Sequence, residues 1–248
     1  MSARRCVALL VLFVAGFMMV PTLPAAEPVR AGTVFVVGGV GGLDPLQATA
    51  PWAMPLAGVP HRVEVFLWTH GIMRPLRDLQ DIRHLLKQAD RLAQTVREEL
   101  ARQPDRPIYL IGHSAGAALI LIATEMLPPA SIERMILLAP AVSPTYDLRP
   151  ALRATRQEVV AFNSTYDRLC LDWCTSFFGT ADRVYGPAAG LDGFREPEDL
   201  DEQGRGLYRR LVQVPWRLPM TWQGTDGWHN GACMPIYLIH RVAPWLMP

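Results

Sequence analysis

Gly112-His-Ser-Ala-Gly116 concentrates more chemistry than any other segment of the sequence. It is a G-x-S-x-G pentapeptide set between a short apolar run, residues 108–111 (IYLI), and a stretch that is apolar nearly all round, residues 115–127. A strand that turns sharply into a helix forces the intervening serine into strained backbone angles and holds its hydroxyl away from the sheet. Glycines two before and two after Ser114 remove side chains where strand and helix would collide. The start of the helix adds unpaired N–H groups and a positive dipole end where an oxyanion would form. A serine hydroxyl is a poor nucleophile at neutral pH, so an imidazole must accept its proton and later return it to the leaving group. A carboxylate must fix the tautomer of that imidazole and stabilise its charged form. The sequence offers 6 histidines and 23 acidic residues from which to draw these partners.

The elements that would position them alternate in type. Residues 33–37 (TVFVV) read as a buried strand running into Gly38-Gly-Val-Gly-Gly42, and residues 62–68 as a second strand. Between them lies a stretch carrying Pro45, Pro51, Pro55 and Pro60, which reads as irregular. Leu79, Ile82, Leu85, Leu86, Ala89, Leu92, Ala93, Val96 and Leu100 recur at three- and four-residue steps, as one face of an amphipathic helix does. Residues 108–111 form a short buried strand and residues 115–127 a helix enclosed by other elements. Further strands are expected at 135–138, 158–162 and 218–222, and a last helix, opened by proline, at 235–245. Strands alternating with helices predict an α/β fold, a mostly parallel sheet flanked by helices on both faces, with functional loops at the carboxyl ends of the strands. No repeat or long linker divides residues 27–248, which read as one domain with a small lid or cap over 171–214 at most.

On the strand, elbow and helix around Ser114, the sequence resembles the α/β-hydrolase superfamily over nearly all of residues 27–248. The resemblance implies a nucleophile, an acid and a histidine in that chain order, each after a successive strand. Ser114 would be the nucleophile. Asp167, in Asn163-Ser-Thr-Tyr-Asp167 after the strand at 158–162, would be the acid; Asp147, whose flanks look like a turn, is its rival. His229, in Gly224-Thr-Asp-Gly-Trp-His-Asn-Gly231, would be the base. His61 and His84 read as structural, His70 comes too early in the chain order, His113 fills the variable position of the elbow, and His240 lies inside the last helix. Asp226 shares the base's own loop and is a weaker acid. The resemblance also implies an oxyanion hole made by the Ala115 N–H and one donor from the glycine run, Val40 by position, with Gly39 and Gly41 as alternatives of register. The more usual His-Gly lead-in to that run is missing.

Composition narrows the rest. Lys+Arg 24 against Asp+Glu 23 leaves a net charge of +1, without the basic excess of a nucleic-acid binder. All the basic residues but Lys87 are arginine, which reads as codon usage. Gly39-x-Gly41 begins like a dinucleotide fingerprint, but Asp44 stands at the third glycine position, Pro45 follows, and no helix is expected there; no G-K-[ST] occurs. Arg4 and Arg5, an uncharged run over 6–20 and small residues up to Ala26 describe a secretory signal over residues 1–26, hence a periplasmic or extracellular protein, or an anchored one if the segment is retained. Cys170, Cys174 and Cys233 would then remain, and in an exported protein two of them can pair as a disulfide, leaving one thiol free. The expectation is an exported serine hydrolase acting on a carboxylic ester or thioester, lipid esters included. It needs no cofactor or metal, and touches membrane only through the signal or a lipid substrate. The alternatives are an acyltransferase using the same residues and a non-catalytic binding protein that kept the fold. Aromatics that could line a site are Trp52, Trp173, Phe177, Phe178, Trp222 and Trp228; Glu196, Glu198, Asp199, Asp201 and Glu202 should face solvent.

Overall fold

In a computed structural model, residues 31–247 are described; the proposed signal over 1–26 lies outside them. Six strands form one sheet: β1 (Thr33–Val37), β2 (Arg62–Val65), β3 (Ile108–His113), β4 (Arg134–Leu138), β5 (Val159–Asn163) and β6 (Leu211–Pro215). Their order is β2-β1-β3-β4-β5-β6 and every neighbouring pair is parallel. The central strands are largely apolar because both of their faces are covered. Along β1, Phe35 and Val37 point to one layer of helices and Val34 and Val36 to the other. The first layer holds α2 (Pro75–Gln80), α3 (Ile82–Arg102), α4 (Ala115–Glu125) and α5 (Arg149–Ala154); the second holds α1 (Pro45–Leu56) and the carboxyl-terminal segment. No described helix is long and apolar enough to cross a membrane.

Several expectations need correction. The proline-rich stretch after β1 is a helix. Asp44 caps α1 by accepting from Leu46 N–H, Pro45 stands in its first turn where no N–H is needed, and Leu46, Ala50, Ala53 and Met54 bury one face. Pro51 and Pro55 remove two internal hydrogen bonds, and burial of that face offsets the loss. The amphipathic helix is split at Asp81, whose side chain accepts from His84 N–H and restarts it as α3. Residues 218–222 are not a strand but part of a 3-10 turn, Leu218–Gln223, with Leu218 and Trp222 exposed. The last strand is instead β6, inside the stretch read as a lid, where Val212 and Val214 pair with Val160 and Phe162. The final helix mixes geometries, α over Pro235–Tyr237, π over Leu238–Val242 and 3-10 over Ala243–Leu246.

This terminal segment is clamped to early strands. His61, buried at the start of β2, accepts from Gly32 N–H and donates through Nε2 to Leu246 C=O at 2.8 Å. Burial lowers its pKa, so the ring is neutral there, a structural role. Arg134 donates to the Trp245 and Met247 carbonyls at 3.1 and 3.2 Å. The parallel register sets Val37 beside Gly112 and Leu138 beside His113, so the loops leaving β1, β3 and β4 open side by side on one rim.

Candidate active site

The elbow takes the geometry its residues predict. Ser114 has φ 54 and ψ −122, a region L residues rarely occupy. Its N–H donates to Leu138 C=O at 2.9 Å and its carbonyl accepts from Ala117 and Ala141, which fixes the strained turn from both sides. A Cβ on Gly112 would stand 2.6 Å from Ala117 Cα, and one on Gly116 2.3 Å from Val37 O. The flanking glycines are therefore required by backbone contact between β1, β3 and α4.

The loop after β5 brings Asp167 and the loop after β6 brings His229 to this turn. His229 Nδ1–H donates to Asp167 Oδ2 at 2.5 Å, and Ser114 Oγ–H donates to His229 Nε2 at 2.9 Å. Asp167 is 2% exposed, shut away from water that would loosen its hold on the ring. The two loops are joined where Ser164 Oγ donates to Gly227 C=O at 2.5 Å. Asp226 accepts from Trp228 N–H and shapes the base's loop without reaching its ring nitrogens. Asp147, the rival acid, is held by Arg149 at the surface through three side-chain contacts of 2.9 to 3.0 Å.

The glycine run lies against the nucleophile, since a Cβ on Gly39 would stand 3.2 Å from Ser114 Cβ. Its register is decided by two buried carboxylates. Gly39 N–H donates to Asp44 Oδ2 at 2.7 Å and Gly41 N–H to Asp78 Oδ2 at 2.8 Å. Among the described residues, no hydrogen bond engages the N–H of Val40 between them or that of Ala115 at the start of α4. Both residues line the cavity that contains Ser114 and His229. Asp44 also disposes of the dinucleotide reading, for a reason different from the expected one. A helix does start beside the glycines, but Asp44 itself caps its first turn and accepts from the loop, where a phosphate would have to sit.

That cavity has a volume of about 190 Å³ and is mainly apolar, walled by Val40, Trp68, Leu79, Ile82, Leu171 and Phe178. Asp78 reaches its wall with both oxygens engaged, by Gly41 N–H and by the backbone N–H and Nδ1 of His70. Trp222 and Trp228 stand outside it, Trp222 almost wholly in solvent. Glu196, Glu198, Asp199, Asp201 and Glu202 are exposed, as expected.

Sequence reasoning missed Asp44 and His113. His113 is not filler: it is fully enclosed, with Nδ1 2.6 Å from Asp44 Oδ2 and Nε2 2.9 Å from His229 C=O. Their separations of 69 and 116 residues left no local signal. Burial opposes charge on this ring, yet the Asp44 carboxylate against it holds it well above the ordinary histidine range. Asp44 is itself lowered, its burial outweighed by His113 and by hydrogen bonds from Gly39 and Leu46. Cys233 is a free, buried thiol rather than half of a disulfide, and burial pushes its pKa up, so Asp44 is the counter-ion. Ligand atoms of Asp44, His113 and Cys233, and of Asp167, Cys170 and His229, each lie within 4.8 Å of one another. In both groups the imidazole nitrogens are already engaged by protein partners, which fits a hydrogen-bonded network better than a metal site.

Comparison with known proteins agrees with this architecture. Residues 70–171 match a family described as serine aminopeptidase, S33; the segment includes Ser114 and Asp167 and stops before His229. No curated protein sequence matches the chain. Lipase B of Aspergillus fumigatus superposes with a TM-score of 0.51 at 11% identity, over 91% of this chain and 53% of that one, so the chain spans about half of that lipase. An α/β-superfamily protein assigned as a hydrolase, from Xanthomonas campestris pv. campestris, gives 0.45 at 15% identity over 88% and 96%. The catalytic core of acetyl xylan esterase from Trichoderma reesei gives 0.46 at 10% over 88% and 97%. The parallel sheet with a serine elbow after β3 is thus the α/β-hydrolase fold, and the family match itself is confined to residues 70–171.

Proposed function

We propose that the protein is an exported serine hydrolase that cleaves a carboxylic ester or thioester through an acyl-enzyme, with Ser114, His229 and Asp167 as its triad. The observation that carries this reading is one hydrogen-bonded line, Ser114 Oγ to His229 Nε2 and His229 Nδ1 to Asp167, opening on an apolar cavity beside two unengaged N–H groups. Neutral His229 accepts the serine proton as Oγ attacks the carbonyl carbon, and Asp167 stabilises the imidazolium. The carbonyl oxygen, now an alkoxide, is received by the N–H groups of Val40 and Ala115, each worth about 10²–10³ in turnover in comparable sites. His229 then protonates the departing alcohol or thiol. Water, activated by the same ring, hydrolyses the acyl-serine.

The apolar walls favour an acyl chain over a charged group. A peptide amino terminus would need an anionic anchor, and the one carboxylate in the cavity wall, Asp78, already receives protein donors on both oxygens. Export rests on the sequence pattern of residues 1–26. An acyltransferase would differ only in passing the acyl group to an alcohol in place of water, which product analysis with added alcohol distinguishes. Labelling with a fluorophosphonate tests the assignment. Wild type should be modified and Ser114→Ala should not; a labelled Ala variant would move the nucleophile elsewhere, and unlabelled, folded wild type would favour a binding protein.

A further inference from the structure

We propose that Asp44 and His113 form a second, buried carboxylate–imidazole couple that positions the oxyanion donor of Val40 and the loop of His229 around Ser114. The proposal rests on the triad reading and extends it to residues that touch no substrate. One oxygen, Asp44 Oδ2, receives both Gly39 N–H at 2.7 Å and His113 Nδ1–H at 2.6 Å. The other end of the ring donates from Nε2 to the carbonyl of His229 itself at 2.9 Å. Carboxylate and carbonyl only accept, so the ring carries a proton on each nitrogen. Three segments far apart in sequence are thus tied through one buried ion pair: the glycine loop before Val40, the residue preceding the nucleophile, and the backbone of the base.

The His113 and His229 rings lie 4.8 Å apart between centroids. Asp44 and the neutral Cys233 thiol face His113 on its other sides, while Asp167 and Cys170 face His229. A merely structural pair would affect stability alone; this one should change the chemical step.

Full-length wild type, Asp44→Asn, His113→Asn and Ser114→Ala are to be compared in hydrolysis of p-nitrophenyl butyrate and in fluorophosphonate labelling. Both Asn variants should lose about 10²-fold in kcat, the loss of one aligned oxyanion donor, with KM changed less than about threefold. Nitrogen-15 spectra of histidine-labelled wild type supply a readout independent of variant folding: His113 should stay doubly protonated from pH 5.5 to 8. A singly protonated His113 overturns the proposal, as do folded Asn variants with wild-type kcat beside an inactive Ser114→Ala. Folded wild type that neither labels nor turns over sinks the triad reading, and this proposal with it.

Discussion

Asp167→Asn is the sharpest test of the assigned acid. The substitution keeps shape and volume in a site that is 2% exposed, so the fold should survive it. What changes is the partner of His229 Nδ1, now 2.5 Å from a carboxylate oxygen. If the new amide presents its NH2 to Nδ1, the ring proton must move to Nε2 and Ser114 Oγ loses its acceptor. If the amide turns its oxygen inward, the tautomer is right but the imidazolium forms without a counter-charge. Two unit charges about 4 Å apart in an effective dielectric of about 20 interact by about 4 kcal/mol. At about 1.36 kcal/mol per decade that is about three decades in rate, and the tautomer cost raises the expected loss toward 10⁴. Initial rates on p-nitrophenyl butyrate near pH 8, normalised to folded protein by circular dichroism, measure it. Asp147→Asn is the control, expected within about twofold because Asp147 serves only a surface pair with Arg149. A folded Asp167→Asn enzyme retaining more than a tenth of wild-type kcat would refute the reasoning, as would an equal loss in Asp147→Asn.

Two further outcomes follow from geometry already described. Gly116→Ala places a methyl 2.3 Å from Val37 O and 2.4 Å from Gly38 O, so α4 must shift away from β1; a loss of about 1–3 kcal/mol and a fall in kcat are expected, and urea unfolding with wild-type stability would show that the elbow closes differently. The Asp44–His113 pair should also shape stability against pH. The raised His113 stabilises fully below its ordinary value of 6.5 and progressively less as pH climbs through its folded value, while the lowered Asp44 stabilises above 3.8 and less as pH falls through its own. Urea midpoints of wild type should therefore decline on the alkaline side more than those of His113→Asn, and parallel curves would contradict this.

The elbow was legible because five contiguous residues report one local event, a strand turning into a helix at a serine. β1, β3, β4 and β5 were legible as short, largely apolar runs, since burial on both faces leaves little room for polar alternation. The α1 helix was not, because prolines at 51 and 55 speak against a helix and only tertiary burial of Leu46, Ala50, Ala53 and Met54 overrides them. Nor was β6, an edge strand whose half-exposed residues lack the strong pattern of the interior ones. Chain order in a resembled family pointed to Asp167 and His229, which the fold brings to Ser114. Asp44 and His113 were invisible for a physical reason: their roles exist only once segments 69 and 116 residues apart have met.

The clamp on the carboxyl-terminal segment bears on when activity can first arise. The Leu246, Trp245 and Met247 carbonyls are gripped by side chains from positions 61 and 134, and the loop carrying His229 lies just upstream. A nascent polypeptide that has emerged only through β5 can bend its serine into place yet has no proton acceptor for it. Such long-range closure is a late event in folding. Turnover should therefore lag behind secondary structure during refolding, making hydrolysis a reporter of the last segment's arrival rather than of collapse.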